Sequence, residues 1–91
     1  MKHNFKIGDK VILNMNHSYL ISIGYIKASF GYKATDGVDI VNDMLLYNNK
    51  VVTIYDKSST SIQIEEDPSK YHFYFALVFP ATEYGKYLYA E

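Results

Sequence analysis

Histidine, serine and glycine are the residues at which metal binding or catalysis would first be sought in this chain of 91 residues. His3, His17 and His72 lie far apart and show no HxxxH or HExxH spacing, and cysteine is absent, so the sequence groups no zinc ligands. No serine stands in a G-x-S-x-G motif, and the five glycines are too scattered to form a phosphate-binding loop. We therefore predict that the protein is not an enzyme and holds neither a metal nor another cofactor.

Three consecutive acidic residues, Glu65-Glu66-Asp67, form a short cluster. Such a cluster could bind a divalent ion or mimic nucleic acid, but we favour a solvated turn. Asp36, Asp39 and Asp43 are interpreted in the same way, as loop and helix-cap residues rather than ligands.

Aromatic residues are the one surplus, with ten Tyr, five Phe and no Trp. Phe and aliphatic residues can fill a small core, which leaves many tyrosines partly exposed, and exposed Tyr offers contact area with a polar end. Two alternatives are that Tyr merely covers the faces of the sheets, or that it stacks on nucleotide bases. The chain has no Arg, the residue best suited to phosphates and guanine edges, so we rank protein contact above nucleic acid.

The distribution of charge and hydropathy bears on the possible ligands and on the cellular location. The net charge is −1, yet residues 1–33 carry five Lys and a single acidic residue, a basic region that could attract an anion. No apolar run approaches the about 20 residues of a membrane span, and the N-terminus lacks the apolar segment of a signal peptide. We expect a cytoplasmic protein.

Alternating apolar residues and turn signals predict a mostly β fold, a small bent barrel of five or six strands with one short helix. Residues 1–80 form this domain, and residues 81–91 form a tail that docks on the domain or on a partner. The helix is expected near 39–47 with Asp39 as its N-cap and Asn48-Asn49 as its left-handed stop, while 28–37 is expected to be a loop. The predicted strands are 10–13, 19–25, 50–55, 61–65, 71–75 and 77–79.

The predicted core consists of residues that recur at strand or helix spacing. They are Val11, Leu13, Val41, Met44, Leu45, Val52, Ile54, Ile62, Ile64 and Phe73.

Two stretches resemble a known pattern. Lys6-Ile7-Gly8-Asp9-Lys10-Val11-Ile12 resembles the opening strand of small Src-homology-3-like barrels, and Val41-Asn42-Asp43-Met44-Leu45 followed by 47–54 resembles small, mostly uncharacterised phage and prophage proteins of that fold. The resemblance covers roughly residues 5–13 and 38–79. The chain departs from it with Asn49 in place of Gly, with Phe73-Tyr74-Phe75 where Trp is common, and with Ala76-Leu77 where an acidic pair is usual.

The resemblance implies a phage- or prophage-encoded protein, but it attaches no activity to the fold. Residues 14–37 and 81–91 have no counterpart in it, so we place the partner-binding surface there. That surface is expected to comprise Tyr19, Tyr25, Tyr32, Lys27, Lys33, Tyr84, Tyr87 and Tyr89.

We expect the protein to bind a host protein, a component of antiviral defence, and to modulate or inhibit it. One alternative is an oligomeric sponge that binds a nucleotide signal or nucleic acid through Tyr and Lys, and a weaker one is a structural or assembly subunit. Unpaired edge strands and exposed, tyrosine-rich apolar segments also predict a homodimer or higher oligomer.

Overall fold

The computed structural model describes residues 5–35 and 38–81, and the elements below lie within these ranges. Most of these elements are strands, which form two antiparallel sheets, and the others are one α-helix and two 3-10 helices. The strands are β1 (Lys10–Leu13), β2 (Tyr25–Ala28), β3 (Gly31–Ala34), β4 (Ile40–Val41), β5 (Val51–Lys57), β6 (Ser61–Ile64), β7 (Phe73–Tyr74) and β8 (Val78–Pro80). The helices are α1 (His17–Ser22), η1 (Asn42–Tyr47) and η2 (Phe75–Leu77), of which η1 and η2 are 3-10 helices.

The larger sheet has five strands in the order β7-β6-β5-β1-β8. Its centre is the β-branched strand β5, which pairs with β1 on one side and forms the predicted hairpin with β6 on the other. Ser58 closes the hairpin turn by donating its backbone N–H to the carbonyl of Ser61 at 2.9 Å. A register shift between Ile54 and Asp56 bends β5 near its middle.

The smaller sheet has three strands in the order β2-β3-β4. β2 and β3 form a tight hairpin in which Tyr25 pairs with Ala34 and Ala28 pairs with Gly31. Gly31 allows β4 to approach closely, because a Cβ atom at this position would lie 2.1 Å from the carbonyl oxygen of Ile40. The sheet therefore depends on a residue without a side chain at the point where β3 meets β4.

One core connects both sheets. Eight of the ten predicted core residues are buried, and Val41 and Leu45 pack against the core half-buried. The other buried hydrophobic residues, absent from the predicted core, come from both sheets and their flanking segments: Phe5, Ile12, Met15, Leu20, Tyr25, Tyr32, Ile40, Leu77 and Val78.

The strand predicted over 19–25 is wrong, because α1 occupies its first half and β2 begins only at Tyr25. Helical hydrogen bonds define α1: the Leu20 N–H donates to the Asn16 carbonyl at 2.9 Å, and the Ile23 N–H to the Tyr19 carbonyl at 3.1 Å. Only Leu20 of this helix is buried. The predicted loop over 28–37 is also wrong in its middle, where β3 forms.

The helix predicted near 39–47 begins later than expected, since Ile40 and Val41 form β4 and η1 starts at Asn42. Asp39 does not cap it. Its Oδ1 atom instead accepts the backbone N–H of Ala34 at 2.8 Å, a contact that joins β3 to the segment before β4. The predicted left-handed stop is confirmed at Asn49, which has a φ of 63°.

Asparagine side chains join the start of α1 to the segment between η1 and β5. Asn48 accepts the backbone N–H of Met15 on its Oδ1 atom at 2.6 Å and donates from Nδ2 to Oδ1 of Asn16 at 2.9 Å. Because Asn16 directly precedes α1, this pair fixes where the helix starts.

The prediction of a small, mostly β, barrel-like domain is confirmed. The described residues contain eight strands rather than five or six, and they lie in two sheets that do not close into a continuous barrel. Among the described helices, none has the length and apolar character that a membrane span requires.

Candidate functional site

The predicted partner-binding residues are separated by the fold into three groups. Tyr25 and Tyr32 are buried, with 6% and 5% of their surface exposed, which corrects the expectation that they are surface anchors. Tyr19 is half-buried, and Lys27 and Lys33 are exposed. The remaining three, Tyr84, Tyr87 and Tyr89, lie outside the described residues, as does the predicted tail beyond Ala81.

Tyr19 connects α1 to the end of the larger sheet. Its hydroxyl donates to the carbonyl of Ala76 at 2.5 Å, and its ring meets the Phe79 ring edge-on with 5.8 Å between centroids. The side chain is therefore engaged within the fold and also marks where α1, η2 and β8 come together.

Tyr32 lies at the centre of a small polar cluster on the β2–β3 hairpin. Its hydroxyl is 2.7 Å from Nδ1 of His17, and the Lys27 ammonium lies 5.3 Å from its ring centroid. The same ammonium donates to the carbonyl of Ala28 at 2.9 Å. Lys27 thus makes its hydrogen bond and its ring contact within the hairpin.

Lys33 is not part of this cluster. It follows Tyr32 in β3 and therefore points to the opposite face, where it stands across from the exposed Ile26. The two lysines that were predicted to belong to one partner-binding surface are therefore on different sides of the hairpin.

A cleft opens where the smaller sheet meets the end of the larger one, and we call it the inter-sheet cleft. Its volume is about 220 Å³. The walls come from the turn after α1, the paired ends of β2 and β3, and the β7–η2 junction. The lining residues are Ile23, Gly24, Tyr25, Ala34, Thr35, Tyr74 and Ala76.

The cleft is uncharged along its described lining. Burial raises the pKa of the Tyr25 phenol from 10.0 to about 12, and the neighbouring Tyr74 and the carboxylate of Asp39 add to the shift. Tyr25 is therefore neutral at physiological pH, and its hydroxyl donates to the carbonyl of Val38 at 3.3 Å. The Thr35 hydroxyl, another polar group of the lining, donates to the Gly24 carbonyl at 3.4 Å.

Three exposed aliphatic residues occur in or next to the cleft lining. Ile23 is part of the wall and is 38% exposed. Ile21, 45% exposed, and Val38, 42% exposed, contact the lining residues Gly24 and Tyr25 through their backbone carbonyls, at 3.2 Å and 3.3 Å. We call these three residues the rim.

Sequence reasoning identified Tyr25 by residue type but missed the other cleft residues. Ala34 and Ala76 are small, and small residues give no positive signal of a cavity.

Polar groups are otherwise satisfied within the fold. No buried side-chain nitrogen or oxygen of the described residues lacks a hydrogen-bond partner. Within residues 5–35 and 38–81, no three His, Asp or Glu side chains come close enough together to hold a metal ion.

Comparisons of the chain with protein-family models, with curated proteins and with solved structures found no match. The functional argument therefore rests on the geometry of the inter-sheet cleft and its rim.

Proposed function

We propose that the protein is a non-enzymatic binding protein, encoded by a phage or prophage, that binds and inhibits a host protein of antiviral defence in the host cytoplasm. The phage source and the kind of target follow from the sequence resemblance alone. The observation that carries the binding role is the uncharged inter-sheet cleft with its rim of exposed aliphatic side chains.

The size of the cleft favours a protein partner. Sites for drug-sized ligands usually measure about 300–1,000 Å³, and this one measures about 220 Å³. A cleft of this volume suits a single large side chain, and protein interfaces concentrate their binding energy in such anchored side chains. The exposed rim residues Ile21, Ile23 and Val38 would surround the anchor and exclude water from it.

The charges argue against the nucleotide sponge. A phosphate requires a cation or several free N–H donors, and no described lining residue is charged. Lys27 is engaged with the Tyr32 ring and the Ala28 carbonyl, while Lys33 is on the opposite face of the hairpin. Acid–base catalysis has little support as well, because the described lining offers phenol and alcohol hydroxyls but no carboxylate, imidazole or amine.

The test fills the cleft and leaves the core intact. Ala76 is exposed at the cleft wall, so Ala76→Trp should block the cleft without overpacking the interior. Ser59→Trp, in the exposed β5–β6 turn, is the matched control that adds the same side chain elsewhere. Both variants should melt within a few degrees of the parent.

We expect one host protein to co-purify in stoichiometric amount with the parent and with Ser59→Trp, and to be lost with Ala76→Trp. Calorimetry with the purified partner should then show at least a tenfold rise in Kd for Ala76→Trp, about 1.4 kcal/mol. Equal retention by both variants would remove the cleft from the interface. A nucleotide released in stoichiometric amount from the denatured parent would favour the sponge instead.

A further inference from the structure

The strand β2 has one unpaired edge. The Ala34 N–H donates to Asp39 on the β4 side of β3, so the backbone of Ala34 points away from β2. Tyr25 is its partner across the hairpin, and the two residues of such an antiparallel pair turn their backbone groups away from each other. Because this orientation repeats at every second residue, the N–H and C=O groups of Tyr25 and Lys27 all point outward from β2. No hydrogen bond joins these groups to another part of the chain that the structure describes.

The other edge strands carry features that hinder pairing with a further strand. β4 and β7 have two residues each, and the outward N–H of Val41 in β4 donates to the Met44 sulfur at 3.4 Å. β8 ends at Pro80, which has no N–H. β2 has four residues, no proline and no register shift. It is therefore the longest edge among the described strands and lacks this protection.

The lysine of β2 does not protect this edge. Lysine often has that role in exposed strands, but the Lys27 ammonium is turned into its own hairpin, where it donates to the Ala28 carbonyl at 2.9 Å and lies 5.3 Å from the Tyr32 ring centroid. Ile26, whose side chain is on the opposite face of β2, is apolar and 55% exposed. The edge therefore combines free backbone groups with an exposed apolar side chain.

One two-fold register between two β2 strands pairs all of these outward groups. With Tyr25 opposite Lys27 of a second copy, each such pair exchanges its N–H and C=O groups, and the symmetry forms the pair twice. Tyr25 opposite itself would set Lys27 against Ile23, whose N–H already donates to the Tyr19 carbonyl at 3.1 Å. Lys27 opposite itself would bring two like charges together. The favoured register therefore has its two-fold axis at Ile26.

At this axis Ile26 stands opposite Ile26 of the second copy. The two form a non-hydrogen-bonded pair, the kind in which side chains approach most closely, so two exposed isoleucines cover each other. Lys33 is opposite Ile26 within the hairpin. It would lie three strand spacings, about 14 Å, from its own copy, which is more than the screening length of about 8 Å at physiological ionic strength. The register thus covers apolar surface without opposing like charges.

We propose that β2 is the interface of a homodimer, in which two copies of the chain pair antiparallel about Ile26 and join their smaller sheets into one. Pairing with a second copy covers the open β2 edge of both chains, so the assembly closes at a dimer. The interface is small, so the dimer forms at high protein concentration, and the dilute protein is a monomer with Ile26 exposed. This association involves no host protein and goes beyond the function proposed above.

The sequence contains no cysteine, so Ile26→Cys tests the register directly. The distance of about 4.5 Å expected between the two Cα atoms falls within the range of about 4.4–6.8 Å that disulfides span. Under mild oxidation at high protein concentration, Ile26→Cys should form the interchain disulfide roughly tenfold faster than the control Lys33→Cys, whose copies lie about 14 Å apart in the proposed dimer. Equal rates in the two variants, or no interchain disulfide in either, would overturn the proposal.

A pair of variants at Lys27 separates the backbone from the side chain. Lys27→Pro removes the outward N–H, which the hairpin does not use, whereas Lys27→Ala keeps this N–H and loses the same side-chain contacts. Sedimentation should show a concentration-dependent dimer for the parent and for Lys27→Ala, and a monomer for Lys27→Pro. A dimer in all three proteins would assign the association to another surface. That result would overturn the proposal, as would a parent that stays monomeric at every concentration.

The charge of residue 26 provides a test that does not require a tolerated proline. Ile26 is exposed, so Ile26→Glu and Ile26→Lys should fold like the parent. Each variant alone should be monomeric, because like charges would stand opposite each other at the two-fold axis, and an equimolar mixture should form a heterodimer. A dimer of either variant alone, or no heterodimer in the mixture, would overturn the pairing of Ile26 with its copy. All three experiments use the isolated protein, so their outcomes are independent of the capture of a host protein.

Discussion

The two sheets contribute different chemistry to one shared core. The larger sheet supplies aliphatic side chains and Phe73, whereas the smaller sheet supplies Ile40 together with the phenols of Tyr25 and Tyr32. A buried phenol needs a partner for its hydroxyl, so Tyr25 reaches Val38 and Tyr32 reaches His17. The buried phenols of the smaller sheet therefore depend on polar contacts as well as on packing, whereas the aliphatic core residues of the larger sheet depend on packing alone.

The largest effect is expected from Ile54→Ala at the centre of the larger sheet. Ile54 is fully buried, and its truncation should lower the free energy of unfolding by about 2–5 kcal/mol because it leaves a cavity. Ile26→Ala, at a site 55% exposed on the smaller sheet, should change it by about 0.5 kcal/mol or less. Urea unfolding measures both, and equal midpoints would mean that the core does not lie where the structure places it.

Gly31→Ala should damage the smaller sheet selectively. A φ of 145° disfavours any side chain, at about 1–3 kcal/mol, and the new Cβ would also lie 2.1 Å from the Ile40 carbonyl oxygen. Gly8→Ala is the control, since Gly8 has a φ of 95° but nothing within 4 Å of a Cβ. Hydrogen exchange should show loss of protection in β3 and β4 only for Gly31→Ala. Similar losses in both variants would show that the close approach of β4 is unimportant.

Glu66→Ala should weaken the larger sheet at its outer surface. The Glu66 carboxylate accepts the Thr53 backbone N–H at 2.9 Å and the Thr53 hydroxyl at 3.0 Å. Loss of the acceptor for this N–H should cost about 1–3 kcal/mol. Urea unfolding of the parent and the variant at neutral pH measures the difference.

The same carboxylate predicts that the free energy of unfolding decreases at acid pH. Burial alone would raise the pKa of Glu66, but the hydrogen bonds from Thr53 and the charge of Lys10 outweigh it and hold the pKa below 4.5. A lowered pKa in the folded state means that the stabilisation is present above pH 4.5 and is lost as the pH falls through the folded value. The difference in the free energy of unfolding between the parent and Glu66→Gln should therefore become smaller in acid. A difference that does not change with pH would contradict the lowered pKa of Glu66.

Tyr25, in the smaller sheet, predicts the opposite pH dependence: the free energy of unfolding should fall as the pH rises into the alkaline range. Its pKa is raised from 10.0 to about 12, so its contribution is complete below pH 10 and is lost as the pH rises towards 12. The loss is at most about 2.7 kcal/mol, at 1.36 kcal/mol for each pKa unit. Tyr25→Phe should lack this part of the alkaline decline, as followed by urea unfolding below and above pH 10. An identical decline in parent and variant would show that Tyr25 ionises freely in the folded protein.

The smallest effect is expected from Tyr32→Phe. The ring remains in the core and beneath Lys27, and only the hydroxyl contact with His17 at 2.7 Å is lost. The expected loss is about 0.5–1.5 kcal/mol. Tyr55→Phe, at an exposed site, is the control and should cost less. If Tyr55→Phe cost more than Tyr32→Phe, the contact between Tyr32 and His17 would not contribute to stability.

The larger sheet was predictable because its pattern is local. β-branched residues, alternation and a serine-rich turn identify β5 and β6, and Ile54, Ile62 and Ile64 are buried as expected. The region 17–25 was not predictable, because apolar residues at 19, 21, 23 and 25 alternate as in a strand. A helix of six residues is too short to display a helical period, and Asn48, far along the chain, helps to fix its start.

The cleft was less predictable than the fold. Its walls combine Tyr25 and Ala34 with Tyr74 and Ala76, segments that are distant in sequence and meet only when both sheets are in place. Residue type pointed to tyrosine, which occurs in the cleft at Tyr25 and Tyr74. It could not distinguish the phenols that fill the core from those that line an opening, because that depends on which neighbours are small.

The order of strands in the larger sheet has a consequence for how the chain folds. β1, near the start of the described chain, pairs with β8 near its end, Val11 standing opposite Pro80. The β5–β6 hairpin can form from local contacts, but this last pairing must close a loop of almost the whole chain, which is entropically slow. During synthesis, β1 therefore has an unpaired edge until residues 78–80 have left the ribosome, and in that interval the nascent chain is most exposed to edge-to-edge association with other chains.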